Sequence, residues 1–360
     1  MTHRIESISL ERFRAFRGLS LDGLGRVNLI TGKNNTGKSS LLEGLRVVET
    51  DAAIETLRDM LTYREEYSTP DDGASRQRLL VSNLFYGFPD FSGKTEPLVI
   101  SANGKDYDTS VSLYVNWLSR ETDKEGNLRF VEHSPDDPEG SASLIVSTSD
   151  AIRRYELDDL RDRRLSNARG SSSHCCFVGP YSGMRTTELG KLWDDIALTD
   201  DEGVVVDALR IIDPHVSKVT MVGGDGTRGR RTAIVRTDQV LHPVPLRSFG
   251  DGMNRLFSIV LNLVNSREKT LLVDEFENGL HHSIQLDAWR IIFRLAHALN
   301  TQVFATTHSW DTIETFQKAA QETPGTGVLI RMTRRDEAIV PTVFTEDEVA
   351  IATRDRIEVR

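Results

Sequence analysis

The run Gly32-Lys33-Asn34-Asn35-Thr36-Gly37-Lys38-Ser39 constrains this chain more than any other stretch, because it fits the pattern G-x-x-x-x-G-K-S/T. Two glycines let a loop curl until successive backbone N–H groups face one anion. A helix that opens at Lys38 brings the positive end of its dipole to the same point. The flanks agree. Arg26-Val27-Asn28-Leu29-Ile30-Thr31 reads as a strand, and Leu41, Leu42, Leu45 and Val48 recur at helical spacing. In that setting Lys38 reaches the β- and γ-phosphates of a nucleotide and Ser39 places a hydroxyl on Mg²⁺. Gly32, Asn34, Asn35, Thr36, Gly37, Lys38, Ser39 and Ser40 are the expected nucleotide-binding residues.

A phosphate loop of this kind needs a carboxylate on a neighbouring strand to hold the metal. Thr270-Leu271-Leu272-Val273 reads as a short buried strand, and Asp274 and Glu275 emerge at its end, where α/β sheets place ligands. Asp274 is the expected metal ligand and Glu275 the expected general base. Ser248-Phe249-Gly250-Asp251-Gly252 is a second glycine turn that feeds an apolar helix, Met253–Asn265. It makes Ser248, Gly250 and Gly252 a second candidate phosphate contact. His308 stands just past the strand Thr301–Thr306, where an imidazole can hydrogen-bond the γ-phosphate and the attacking water. The catalytic set is therefore Lys38, Glu275 and His308, and the metal set Ser39 and Asp274.

Strand Thr270–Val273, helix His282–Asn300 and strand Thr301–Thr306 have the spacing of a βαβ crossover, so these strands are expected to lie parallel. Upstream, Ile5–Leu10 and Leu19–Leu21 read as strands and 52–66 as a charged helix. Pro97–Ala102 and Thr109–Trp117 are strands around an Asn103-Gly104 turn. Ser217–Val222 and Thr232–Arg236 read as a hairpin. Residues 119–176 are poor in globular signals and rich in Ser, Pro and Asp, with a charged helical piece at Ile152–Arg164. They are expected to be a partly mobile insertion within a discontinuous domain, 1–118 plus 177–360.

Together these motifs resemble the ABC-type ATPase heads, and among them the OLD/RecF group. Arg12-Phe13-Arg14-Ala15-Phe16 is like that group's opening "NFR-x-F". The loop through Ser40 is like its "G-x-N-N-x-G-K-S-S", and Asp274-Glu275-Phe276-Glu277-Asn278-Gly279-Leu280-His281 is like its "DE-x-E-N-G-L-H". The closing Ile357-Glu358-Val359-Arg360 is similar to the end of its stand-alone members. The resemblance implies an α/β head with an antiparallel N-terminal lobe and a parallel core, binding ATP with Mg²⁺. It implies a homodimer or higher homo-oligomer, in which Ser248, Gly250 and Gly252 of one chain close over ATP held by the other and Asn278-Gly279-Leu280 lies at the seam. It also implies a separate effector protein and a place in bacterial antiviral defence or DNA maintenance. The glutamine that adds a metal ligand in this group has only Gln77 and Asn83 as candidates. The Toprim nuclease of full-length OLD proteins has no counterpart.

Composition narrows the alternatives. Lys plus Arg number 44 against 54 Asp plus Glu, a net charge of −10, so a uniformly basic nucleic-acid coat is excluded while a local basic groove is left open. Arg228, Arg230, Arg231 and Arg236 are the densest basic cluster in the second half and read as a solvated loop. No run of about 18 apolar residues spans a membrane, and the first twenty residues are too polar for a signal peptide. The only cysteines, Cys175 and Cys176, are adjacent and set in an apolar run, which points to buried thiols in a reducing, cytoplasmic compartment. Gly224–Gly229 matches G-x-G-x-x-G but is followed by a strand pattern, so the dinucleotide mechanism fails there. No N-K-x-D base reader is present, which favours ATP over GTP. A transporter's nucleotide-binding subunit is the runner-up reading, and the Arg12–Phe16 opening and acidic Glu277–His281 segment speak against it. A self-contained nuclease would need acids outside the nucleotide site. Asp336, Glu337, Glu346, Asp347 and Glu348 read instead as a hairpin turn and a helix start.

Overall fold

The computed structural model describes residues 4–68, 78–123, 126, 128–160, 174–180, 186–223 and 231–354. The chain divides into two compact units. One comprises Met1–Gly23, Ser39–Ser173 and Arg334–Pro341, the other Leu24–Lys38, His174–Thr333 and Thr342–Arg360. In chain order the elements begin β1 (Ser7–Phe13), β2 (Phe16–Asp22), β3 (Val27–Thr31), α1 (Lys38–Glu49), α2 (Ile54–Tyr63), β4 (Tyr67–Ser68), β5 (Arg78–Leu79), β6 (Leu98–Gly104), β7 (Tyr107–Thr122), β8 (Leu128–Glu132), β9 (Ser141–Thr148) and β10 (Ile152–Glu156). They continue with β11 (Cys175–Val178), α3 (Thr186–Ile196), α4 (Asp200–Leu209), β12 (Val216–Gly223), β13 (Arg231–Thr237), β14 (Val244–Pro245), α5 (Asp251–Val264), β15 (Thr270–Val273), α6 (His282–Ala298), β16 (Gln302–Thr306), α7 (Trp310–Gln321), β17 (Gly327–Arg335), β18 (Ala338–Phe344) and α8 (Glu346–Arg354).

The first unit is built on an antiparallel sheet in the order β10-β9-β7-β6-β1-β2, with β8 also paired to β7. Its strands bury alternate residues. Leu98, Ile100 and Ala102 of β6 and Val111, Leu113 and Val115 of β7 are all inaccessible to solvent, as a sheet with one covered face requires. Two sequence expectations are corrected here. The β6–β7 hairpin forms, but Asn103 pairs with Asp108 and Gly104 with Tyr107, so its turn is Lys105-Asp106. Ile152–Glu156 is a strand and not the start of a helix, because Ile152 to Glu156 pair in register with Ser147 to Ser143 of β9. Likewise β7 runs unbroken past residue 118, and β8, β9 and β10 extend its sheet. More than half of the described part of 119–176 is therefore strand, joined by turns over 133–140 and 149–151 and followed by a short 3-10 turn at Leu157–Asp159.

Arg14, from the Arg12–Phe16 motif, is buried in the same unit. Its guanidinium lies 2.6 Å from Glu66 and 3.0 Å from Glu43, and it donates to the Asn83 carbonyl at 3.0 Å. Removing either partner would strand a buried charge.

The parallel strands of the second unit belong to a six-stranded sheet, β11-β15-β16-β3-β17-β18. Strands β11, β15, β16, β3 and β17 pair in parallel, and the β15–β16 pair is the one expected from the βαβ spacing. Every residue of β3, β15 and β16 is buried, the pattern of a parallel sheet covered on both faces. Asn28, buried in β3, donates to the carbonyls of Gly25 and Val303 and accepts from the Gly25 amide. Strands β12, β13 and β14 make a separate small sheet. Gly223 pairs with Arg231, so β12 and β13 form the expected hairpin, and the G-x-G-x-x-G match at Gly224–Gly229 lies outside the described residues. Arg231 donates to the Gly190 and Met221 carbonyls and pairs with Asp194, so it serves the fold. Gln77 and Ile357–Arg360 also lie outside the described residues. Among the described residues no helix is long and apolar enough to cross a membrane.

Candidate functional site

Three chain segments leave the carboxyl ends of adjacent strands at one place. The phosphate loop follows β3, the Asp274-Glu275 turn follows β15, and His308 follows β16, which lies between the other two. The Thr307 amide donates to the Ile30 carbonyl at 2.9 Å, and the Phe276 amide to the Thr306 carbonyl at 2.9 Å. Backbone bonds thus hold the three strand ends in register.

The loop has the curl its glycines predicted. Gly32, Asn35 and Gly37 have φ of 148°, 61° and 82°. A Cβ on Gly32 would stand 2.4 Å from the Met332 carbonyl oxygen and 2.7 Å from the Thr36 hydroxyl, so only glycine fits. Thr36 is buried and donates to the Lys33 carbonyl at 2.8 Å. The Lys38 ammonium donates to the carbonyls of Gly32 and Lys33 at 2.8 and 3.0 Å. Burial pulls Lys38 below the usual lysine range, and the charges of Asp274, Glu275 and Glu277 push it back up. The Lys38 ammonium therefore lies within the field of three carboxylates. Lys33, Asn34 and Asn35 are exposed, and Ser39 and Ser40 stand in the first turn of α1.

The acidic turn is held from several sides. Thr306, fully buried, donates its hydroxyl to Asp274 Oδ1 at 2.6 Å and accepts the Glu275 amide at 2.8 Å. Glu275 has φ of 49°, an uncommon conformation for a side chain-bearing residue. Its carboxylate accepts from Asn278 Nδ2 at 2.5 Å. Behind the turn, Phe276 stacks on Trp289 with ring centroids 4.0 Å apart, both fully buried. His308 is half-exposed. Its amide donates to Glu277 Oε1 at 2.9 Å, and its Nδ1 lies 3.1 Å from the same oxygen. Nδ1–H thereby has an acceptor, and Nε2 is the nitrogen left for other partners.

The second glycine turn lies against the segment beyond the acids. Gly250 has φ of 90° and caps α5. A Cβ on Gly252 would come within 2.9 Å of the Gly279 carbonyl oxygen, and one on Gly279 within 3.3 Å of Asp251 Cβ. Ser248 and Gly250 are exposed beside this contact. Thr306, Arg255 and the Glu277–His308 pair were not singled out from sequence. The one available signal was Arg255, a charge in an otherwise apolar helical run.

Comparison with known proteins agrees with this geometry. Solved structures of the same fold include the Smc head bound to the C-winged helix domain of ScpA, at 13% identity and a TM-score of 0.52, covering 95% of this chain and 98% of that one. An Smc head domain with an extended coiled coil, bound to the C-terminal domain of ScpA derived from Pyrococcus furiosus, is 11% identical with a TM-score of 0.51 over 99% of this chain and all of that one. The fold is that of the SMC/ABC-type ATPase heads. A Helicobacter pylori protein named "ATP/GTP phosphatase" is 23% identical over 345 residues, 88% of this chain and 89% of that protein. The DNA replication and repair protein RecF of Heliobacterium modesticaldum is 35% identical over 168 residues, 46% of this chain and 38% of RecF. Residues 27–313, most of the chain and all of the strand ends just described, match the family described as "AAA domain, putative AbiEii toxin, Type IV TA system", and the chain belongs to that family.

Proposed function

We propose that this chain is a magnesium-dependent ATPase switch, in which ATP draws two heads together and the paired state controls a separate effector, in defence against phage. The observation that carries the ATPase reading is the convergence of the Lys38 cradle, the Thr306-held Asp274-Glu275 turn and the Glu277-held His308 on adjacent strand ends. The resemblance of "ATP/GTP phosphatase" over most of its length supports the same chemistry.

The donor set suits a hard divalent cation: a buried carboxylate at Asp274, and the hydroxyl of Ser39 next to Lys38 in sequence. Asp274 and Ser39 would hold Mg²⁺, which when bound neutralises charge on the β- and γ-phosphate oxygens. The amides of residues 32–38 and Lys38 orient the triphosphate. Glu275 takes a proton from water as its oxygen bonds to the γ-phosphorus. The bond from that phosphorus to the bridging β,γ-oxygen breaks, releasing ADP and phosphate. His308 Nε2 accepts from that water when neutral, and donates to a γ-phosphate oxygen when protonated. Ser248, Gly250 and Gly252 of a second head would complete the site, with Asn278-Gly279-Leu280 at the seam.

The test is turnover and mass together. Wild type should release phosphate from MgATP, while Glu275→Gln should bind ATP, show no steady turnover beyond a slow residual rate seen in a single turnover, and sediment as a dimer in ATP. The amide is nearly isosteric but accepts no proton. Wild-type protein without turnover would overturn the ATPase reading. A Glu275→Gln variant that hydrolyses at the wild-type rate would remove Glu275 as base, and one whose mass ignores ATP would remove the switch.

A further inference from the structure

Helix α5 carries a fully buried arginine within one face-to-face run of apolar neighbours. Arg255 is 0% exposed and lies seven residues beyond Ser248. One of its terminal nitrogens, Nη2, donates to the carbonyls of Asp274 and Glu275 at 2.6 and 2.8 Å, and Nη1 donates to the Gly179 carbonyl. These three carbonyls belong to the two strand exits that flank the acid turn, β11 and β15. Asn278 spans the same gap, donating to the Pro180 carbonyl at 3.1 Å and to the Glu275 carboxylate.

We propose that Arg255 is a positioning residue, the strut that ties the helix behind Ser248–Gly252 to the backbone of Glu275. The argument is geometric. Glu275 sits at φ 49°, and a residue keeps that conformation only where its surroundings over-determine it. Here its amide is fixed by Thr306 and its carbonyl by Arg255. A planar guanidinium supplies donors in a rigid fork, which a lysine ammonium does not. The same helix meets the turn again through Gly252, which has no room for a Cβ beside the Gly279 carbonyl. Helix α5 is therefore joined to the catalytic turn at two places. A load on its first turn, from a γ-phosphate held by another head, reaches the carbonyl of the general base through one side chain. This inference rests on the ATPase reading above and adds the device that links phosphate contact at Ser248–Gly252 to the aim of Glu275.

The experiment compares Arg255→Lys, which keeps the charge, and Arg255→Met, which fills the space without a charge to bury. Circular dichroism and ATP affinity are measured first, then kcat, and then single-turnover hydrolysis in the Glu275→Gln background. The expected result is a fall in kcat of tenfold or more, with the Kd for ATP within about threefold of wild type because the loop of residues 32–38 is untouched. In the Glu275→Gln background the same substitution should remove little further rate, since its target is already gone. Loss of kcat and ATP affinity together, additive loss in the Glu275→Gln background, or failure of both variants to fold would show a scaffold residue and overturn the proposal. So would Arg255→Lys turning over like wild type. Absence of turnover in wild type is the separate outcome that removes the ATPase reading, and the inference with it.

Discussion

Thr306→Val isolates the hydroxyl that holds the acid turn, with almost no change in shape. The residue is fully buried at the end of β16. Its oxygen gives one hydrogen bond to a carboxylate, at 2.6 Å from Asp274, and takes one from the Glu275 amide at 2.8 Å. A hydrogen bond to a charged group contributes about 1.5–3 kcal/mol, and a buried donor left without a partner costs about 1–3 kcal/mol. The extra methyl of valine returns about 0.8 kcal/mol by burial. The net expected loss is about 2–5 kcal/mol. For a unit of this size each kcal/mol moves the melting temperature by roughly 2–4 °C, so the midpoint should fall by about 4–20 °C. Thr306→Ser keeps the hydroxyl and loses one methyl, so it should stay within about 1.5 kcal/mol of wild type. Thermal and urea unfolding without nucleotide measure both variants, and phosphate release measures the accompanying loss of turnover. If Thr306→Val matched wild type within 0.5 kcal/mol, Thr306 would not be the residue that holds Asp274 and Glu275.

The remaining predictions concern the loop. Lys38→Ala should abolish ATP binding, because it removes the ammonium held inside the loop by the Gly32 and Lys33 carbonyls; ATP titration followed by fluorescence or calorimetry checks it, and affinity retained within a few-fold refutes the assignment. Gly32→Ala should cost both ATP binding and stability, since the new Cβ would meet the Met332 carbonyl at 2.4 Å in a backbone conformation with φ of 148°; a variant that binds ATP normally would show that the loop relaxes around a side chain.

What was legible in the sequence followed local periodicity and local chemistry. The strands that carry the site are short with apolar centres, β3 runs into Gly32 and β15 into Asp274, and β3, β15 and β16 lie in the places expected of them. The parallel order followed from the length of helix between them. The described part of 119–176 was less legible, because β10 carries Arg153, Arg154 and Glu156 in a five-residue strand, and charges at that density suit an exposed helix as well as an exposed strand. The pairing with β9 decided between them, and pairing is a long-range fact. The hairpin turn moved from Asn103-Gly104 to Lys105-Asp106 for the same reason: the ladder register of β6 against β7 outweighed the turn propensity of the dipeptide.

The site shows the same division more sharply. Lys38, Asp274, Glu275 and His308 could be named from spacing, because each belongs to a motif whose chemistry is written in one short run. What sets their geometry is supplied from elsewhere in the chain. Thr306 fixes Asp274 and Glu275 from 31 or 32 residues away, and Glu277 holds His308 at a separation of 31. Arg255 reaches across 19 and 20 residues to the same turn. Each of these partners is an ordinary residue for its element: a threonine in a strand, an acid in a turn, an arginine in a helix. Their roles arise because β16 lies between β15 and β3, so the ends of three segments distant in sequence meet. A short motif names the candidate groups. The order of strands in the sheet specifies which groups aim them, and that order becomes visible only when the crossover connections are laid side by side.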